Sequence, residues 1–87
     1  MENVYAVIEQ YNYDFVDTLS IKLFAKKSDA EKDFKAKVKR ERENSWISRK
    51  SNVIEDFYKE NLYYDAYVDG CEFEYETSIY IKEYPIN

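Results

Sequence analysis

The 87-residue sequence has no histidine and only one cysteine, one glycine and one proline. Without histidine, the chain lacks the commonest general base and the commonest metal ligand of proteins. The lone cysteine, Cys71, allows no disulfide within the chain and no cysteine-based metal site. Gly70 is the only glycine, which excludes a glycine-rich phosphate-binding loop. These shortages predict a non-enzymatic protein with no catalytic residues, no cofactor and no metal.

Long apolar runs are also missing from the sequence. A membrane-spanning helix needs about 18 consecutive apolar residues, and a signal peptide needs a basic region followed by an apolar stretch. The chain contains neither pattern. We therefore expect no membrane span and no signal peptide, and the single cysteine makes a cytoplasmic location the default expectation.

Tyrosine and charge are what the chain has in abundance. Ten tyrosines, five phenylalanines and one tryptophan make 18% of the residues aromatic, and 36% are charged. A chain of this size buries only about 60 to 65% of the surface that its unfolded form exposes, so its core is thin. We predict one domain, residues 1–87, with more tyrosines than a single small core encloses.

The net charge of −5 is unevenly distributed along the chain. Residues 1–21 carry a charge of −4, residues 22–50 a charge of +6, and residues 51–87 a charge of −7. A basic middle between two acidic ends predicts a folded domain with one positive and one negative face.

The most regular pattern lies in residues 71–86, C-E-F-E-Y-E-T-S-I-Y-I-K-E-Y-P-I. Successive side chains of an extended strand point to opposite faces, so alternation of apolar and polar residues predicts a half-buried strand. Pro85 fits the end of such a strand at an edge position. The apolar parity holds Phe73, Tyr75, Thr77, Ile79 and Ile81, and the polar parity holds Glu72, Glu74, Glu76, Ser78, Tyr80 and Lys82.

Two further strands and one helix are predicted in the first half of the chain. Residues 4–11 are β-branched and aromatic, and residues 17–24 alternate, which indicates an antiparallel pair across a loop of about five residues. Ser28 and Glu31 match a capping box, so a helix should begin there. Ala30, Phe34 and Val38 would form its narrow apolar stripe.

The region between residues 52 and 70 is less clear from sequence. Asn52 is a candidate cap for a second helix, with Ile54, Phe57, Tyr58 and Leu62 recurring at helical spacing. Residues 63–68 fit either the end of that helix or a third strand before the hairpin signal Asp69-Gly70. The predicted fold is α+β, with an antiparallel sheet of three or four strands, two helices on one face and the order ββαα(β)β.

A row of carboxylates on the last strand is the strongest functional signal. Residues of one parity on a strand recur at about 6.6 to 6.8 Å, so Glu72, Glu74 and Glu76 would form a line of negative charge. Such a line can stand in for a nucleic-acid backbone and occupy a cationic groove of a partner protein. The plain alternative is a solvated strand face that discourages edge pairing. The predicted partner-binding residues are Asp65, Tyr67, Asp69, Glu72, Glu74, Glu76 and Tyr80.

Two other surfaces compete with this interpretation. The surplus tyrosines are suited to an interface, which makes a homodimer or larger homo-oligomer an alternative, or they cover the outer side of the sheet. Residues 26–50 are basic enough to contact phosphates, but the interleaved Glu41 and Glu43 and the pI of about 4.7 favour a solvated helix surface over direct nucleic-acid binding.

The chain resembles small acidic proteins encoded by phages and other mobile elements. The resemblance covers residues 4–38 and 77–86 and rests on V-Y-A-V-I-E, on L-F-A-K-K-S-D-A-E-K-D-F and on the closing Y-I-K-E-Y-P-I. Some proteins of that kind are anti-CRISPR or other anti-defence inhibitors, which bind a host nuclease or CRISPR effector and block its nucleic-acid site. The resemblance implies this context for the chain, but it assigns no functional residue.

Overall fold

The computed structural model of the protein describes residues 2–14, 16–44, 47–58, 60, 62–70 and 75–86. Within these residues, five strands form one antiparallel sheet, packed by one α-helix and one short 3₁₀ turn. The elements in chain order are β1 (Glu2–Tyr13), β2 (Val16–Phe24), α1 (Lys27–Asn44), the 3₁₀ turn (Ile47–Arg49), β3 (Val53–Tyr58), β4 (Tyr63–Val68) and β5 (Tyr75–Ile86).

The predicted second helix is wrong, because residues 53–68 form the β3–β4 hairpin instead. Asn52 has a φ of 62°, whereas a helix N-cap residue normally has an extended backbone. Its carbonyl instead accepts a hydrogen bond of 2.8 Å from the Asp69 amide, which extends the β3–β4 ladder at the end away from the turn. The sheet therefore has five strands rather than three or four, and a single helix rather than two covers it in the described part of the chain.

The strands are ordered β2-β1-β5-β4-β3, so the last strand lies in the centre of the sheet. β5 pairs with β1 along its whole length and with β4 from Glu76 to Tyr80. Beyond Ile81, whose amide donates to the Leu62 carbonyl at 3.2 Å, β5 pairs only with β1 among the described strands, which explains how Pro85 is accommodated. The alternating segment predicted from residues 71–86 is thus a strand over Tyr75–Ile86, and residues 71–74 lie outside the described residues.

α1 covers one side of the sheet and defines the core. The predicted stripe is confirmed, since Ala30, Phe34 and Val38 are all buried. They pack against side chains of one parity from all five strands and against the 3₁₀ turn. We call this side the helix-covered face and the other side the open face. The core residues are Val7, Ala30, Phe34, Val38, Ile47, Tyr64, Ala66 and Ile79.

The ends of the first elements differ slightly from the prediction. β1 ends at Tyr13 and β2 begins at Val16, so two residues join the strands instead of about five. Asp14 takes up the sharp reversal with a φ of 53°, a conformation that Asp tolerates better than most residues. α1 begins at Lys27, where the Lys26 carbonyl accepts from the Ala30 amide at 3.2 Å, so Ser28 lies in the first turn rather than at the cap.

Candidate functional site

The open face of β3, β4 and β5 carries a regular grid of nine side chains, eight of which are polar or aromatic. Strand register places them in three rows, each crossing the three strands. The first row is entirely tyrosine, the second holds two aspartates and a serine, and the third holds an isoleucine, a tyrosine and a glutamate. The rows are Tyr58, Tyr63 and Tyr80; Asp56, Asp65 and Ser78; and Ile54, Tyr67 and Glu76. We call these nine residues the open-face array.

The tyrosine row forms a ladder of rings in contact. The Tyr63 and Tyr80 rings are stacked, with centroids 5.2 Å apart and planes 11° apart. The Tyr58 ring meets Tyr63 edge-on at 5.6 Å. Cross-strand aromatic pairs of this kind stabilise a sheet, and Tyr58 remains 47% exposed at the edge of the molecule. The ladder is therefore both part of the fold and available to a partner.

The carboxylates of the array are crowded together. Asp56 and Asp65 are direct cross-strand partners, and the Ser78 hydroxyl donates to Asp65 Oδ1 at 3.0 Å. Burial raises the pKa of the Asp65 carboxyl and the charge of Asp56 adds to the rise, although hydrogen bonds with Ser78 and Glu76 oppose it. Burial also raises the pKa of Glu76, and the charge of Asp65 adds to that shift. Burial is the larger cause for both groups, so these carboxyls are ionised less readily than exposed ones.

The structure brings together four of the seven predicted partner-binding residues. Asp65 and Tyr67 lie on β4, and Glu76 and Tyr80 lie on β5, all facing the open side. Asp69 lies in the exposed turn after β4, beyond the end of the array. The other two, Glu72 and Glu74, are outside the described residues.

Sequence reasoning missed the β3 side of the array. Every second residue of β3 faces the open side, namely Ile54, Asp56 and Tyr58. The interpretation of residues 52–64 as a helix did not predict this alternation. The run V-I-E-D-F-Y, rich in β-branched and aromatic residues, was the signal for a strand.

The helix-covered face also has charged side chains, but they bond to each other. One nitrogen of the Arg40 guanidinium donates to both oxygens of the buried Glu9 carboxylate, at 2.7 and 2.8 Å. The Tyr11 hydroxyl donates to the buried Glu41 at 2.8 Å and accepts from Arg40 at 3.1 Å. Burial, followed by the hydrogen bonds to Glu9 and Glu41, raises the Tyr11 pKa, so this hydroxyl stays protonated. The cluster joins α1 to β1.

A groove of about 630 Å³ lies between the second half of α1, the 3₁₀ turn and β3. Arg42, Glu55 and Tyr64 contribute polar groups to its lining. Arg42 Nε lies 2.9 Å from Glu55 Oε2, and the Tyr64 hydroxyl donates to the same oxygen at 2.5 Å. These three groups are thereby engaged with one another, and they tie the helix to β3 and β4.

The basic segment is only partly available to a ligand. Arg40 and Arg42 contact Glu9 and Glu55 on the sheet, and Lys37 lies 3.6 Å from Asp33 along the helix. These contacts place Arg40 and Arg42 in the joint between helix and sheet and pair Lys37 with an acid of the helix itself. No helix in the described part of the chain is long and apolar enough to cross a membrane.

Comparison with known proteins returns no relatives: no family model, no curated protein and no solved structure matches this chain. The resemblance to small acidic phage proteins consequently stays a prediction.

Proposed function

We propose that the protein is a non-enzymatic binding module that docks the open-face array onto a basic surface of a protein that handles nucleic acids. In the cytoplasm of a host cell it would cover the nucleic-acid site of that partner. An inhibitor of the anti-CRISPR kind, directed at a host nuclease or CRISPR effector, is the specific form of this proposal, and that form rests on the resemblance described above.

The observation that carries the proposal is the juxtaposition of three carboxylates with a tyrosine ladder on a face that no described helix covers. Tyrosine supplies large contact area at little cost in side-chain entropy, and such residues dominate the energetics of protein interfaces. The carboxylates supply the sign of charge that a nucleic-acid-binding surface attracts. Shape and charge thus favour a cationic protein partner over a nucleic acid.

The raised pKa values of Asp65 and Glu76 strengthen this argument. Both carboxyls are partly removed from water and lie near other acids, so their charged forms are disfavoured in the free protein. A lysine or arginine of a partner would relieve that repulsion, and the relief would contribute to binding. A nearby cation would therefore lower the free energy of the ionised forms of Asp65 and Glu76.

The test is affinity capture from a host lysate that has been treated with nuclease. Asp56→Asn, Asp65→Asn and Glu76→Gln together remove three negative charges from the array with little change in shape. We expect the wild-type chain to retain a protein partner after nuclease treatment and this triple variant to lose it. Added salt should weaken the wild-type capture, since the contact is between opposite charges.

A matched control removes three negative charges elsewhere. Asp14→Asn, Asp29→Asn and Glu43→Gln change exposed residues away from the array and should leave capture intact. Tyr58→Ala and Tyr84→Ala form a second matched pair, since their side chains are 47% and 42% exposed. Tyr58→Ala should weaken binding by about 1–2 kcal/mol, and Tyr84→Ala should not. Equal capture by both triple variants, or capture that depends on nucleic acid, contradicts the proposal.

A further inference from the structure

β2 forms one edge of the sheet, and it is unusually exposed and apolar. Eight of its nine residues are exposed, and no strand in the described residues pairs with its outer edge. Leu19, Ile21 and Leu23 all lie on the open face and are 57, 56 and 62% exposed. Exposed apolar side chains beside unpaired backbone groups are the features that allow one sheet to add a strand from another chain.

This edge lacks the devices that usually block such pairing. A protected edge is short, or carries proline, a bulge or several charged residues. β2 is nine residues long, is continuously paired with β1 and contains only Asp17 and Lys22 as charged residues. The opposite edge, β3, is six residues long and carries two adjacent acids, Glu55 and Asp56. The β3 edge is thus protected against pairing with a further strand, and the β2 edge is not.

The sequence of β2 is complementary to itself in one antiparallel register. If two copies meet about a two-fold axis through Ile21, each Leu19 lies opposite Leu23 of the other copy, and the two Ile21 side chains face each other. Lys22 then lies opposite Ser20. All six apolar side chains share one face of the joined sheet, because residues of the same parity pair in this register.

Neighbouring registers are worse. A two-fold axis through Ser20 would set Leu23 opposite Asp17, which places a carboxylate against an apolar side chain. An axis through Lys22 would set two lysines directly opposite each other, and like charges in that position are destabilising. The register centred on Ile21 avoids both conflicts.

We propose that β2 pairs with β2 of a second copy of this chain, antiparallel and centred on Ile21, to form a two-fold dimer with a continuous ten-stranded sheet. A two-fold interface requires a patch that fits itself, and β2 meets that requirement in both its backbone edge and its side chains. The dimer brings the apolar rows of the two β2 strands into cross-strand contact and removes the exposed edge. It involves the edge of the sheet opposite the open-face array and does not depend on the proposed function.

Sedimentation equilibrium of the full chain tests the proposal. We expect a dimer, and we expect Ile21→Lys to weaken dimerisation at least ten-fold, because it sets two charges against each other on the axis. Tyr84→Lys is the control, since Tyr84 lies on the same open face but on β5. It should leave the dimer intact, whereas loss of the dimer in Tyr84→Lys would indicate face-to-face packing and overturn the edge arrangement. Circular dichroism verifies that both variants are folded.

Cysteine cross-linking tests the register directly, in a Cys71→Ser background. Opposed residues of an antiparallel pair have Cβ atoms about 4.5–5.5 Å apart, close to the reach of a disulfide. Ile21→Cys should therefore cross-link to itself under mild oxidation. Leu19→Cys should not, because the two copies of residue 19 would be four residues out of register, about 13 Å apart. A mixture of Leu19→Cys and Leu23→Cys chains should cross-link as heterodimers.

Three further results would overturn the proposal: a monomer across the accessible concentration range, a dimer unaffected by Ile21→Lys, or self-linking of Leu19→Cys as efficient as that of Ile21→Cys. A monomer that binds a foreign strand-forming peptide along β2 would assign the edge to a different occupant, and it would equally refute the dimer.

Discussion

At the scale of single residues, the ion pair between Arg40 and Glu9 joins α1 to the first strand. The Glu9 side chain is 4% exposed and the Arg40 side chain 51% exposed, so the guanidinium shields a carboxylate that has lost most of its water. Arg40→Met should lower the free energy of unfolding by about 2–3 kcal/mol, somewhat less than the loss of a fully buried pair, because solvent screens the exposed part of Arg40.

Urea unfolding at a fixed protein concentration measures this loss. The control is Lys39→Met, which removes a neighbouring exposed cation and should change stability by less than about 0.5 kcal/mol. In the double variant Glu9→Gln with Arg40→Met, part of the loss should be recovered, since no buried charge is left without the guanidinium. Equal stability of Arg40→Met and wild type would show that the pair is not needed.

A second residue-scale prediction concerns the carboxyls of Asp65 and Glu76. Both have a pKa raised in the folded state, so the folded protein binds more protons than the unfolded chain just above the usual pKa of about 4. Stability contributed by these groups is therefore present at low pH and is lost as pH rises through their raised pKa values. Asp65→Asn should stabilise the protein at pH 7 by about 0.5 kcal/mol, because it removes the like charge opposite Asp56.

Thermal unfolding from pH 4 to pH 7 checks both the sign and the size of the effect. The advantage of Asp65→Asn over wild type should shrink as pH falls toward 4, since protonation removes the same charge. Asp29→Asn, on the exposed side of α1, should show no such trend. An advantage that grows toward low pH would contradict the raised pKa.

At the scale of elements, α1 supplies most of the side chains that cover its face of the sheet. Phe34 is 3% exposed at the centre of the core, and Phe57 on β3 is 45% exposed. Phe34→Ala should cost about 3–5 kcal/mol, a large share of the total stability of a small domain. Phe57→Ala should cost about 1 kcal/mol through its ring contact with Tyr64, 5.0 Å away. Similar losses for the two variants, measured by urea unfolding, would show that α1 is not the main cover of the core.

α1 and β3 also differ in how clearly their sequences predict their secondary structure. α1 has a strong local pattern, with a buried stripe at spacings of four and a change from acidic to basic side chains along its length. The local pattern of β3 is ambiguous: Ile54, Phe57, Tyr58 and Leu62 fit helical spacing, yet β3 places Ile54 and Tyr58 on one face and Phe57 on the other. Pairing with β4 makes this segment a strand rather than a helix. The pairing partner of a strand cannot be identified from a single sequence.

The candidate site was predictable where strand parity was read correctly. Glu76 and Tyr80 have the polar parity that the sequence predicts for the last strand, whereas residues 63–68 fitted either a helix or a strand, so the position of Asp65 and Tyr67 on the same face depended on an element that the sequence left open. The contact between Tyr63 and Tyr80, and the opposition of Asp56 and Asp65, depend on register and strand order. Register is set by the face that each strand buries and by the turns that join the strands, which lie beyond local sequence patterns.

At the scale of the whole molecule, the two proposed surfaces lie on different strands, with β1 between them. The nearest strand of the array, β5, is two strand spacings from β2, about 10 Å across the sheet, and the farthest, β3, is about 19 Å away. Substitutions more than about 7–10 Å apart with no shared contact usually act independently. Partner capture and dimerisation should therefore be separable by mutation.

The reciprocal experiment uses the variants already described. Ile21→Lys should be a monomer that still captures the partner, because the array on β3, β4 and β5 is unchanged. The triple variant Asp56→Asn, Asp65→Asn and Glu76→Gln should lose the partner and remain a dimer. If Ile21→Lys loses both properties while keeping its fold, capture requires two arrays in one particle, and the gain from dimerisation is then one of avidity. Capture measured at protein concentrations above and below the dimer dissociation constant distinguishes that case, since avidity is lost on dilution and the contacts of a single array are not.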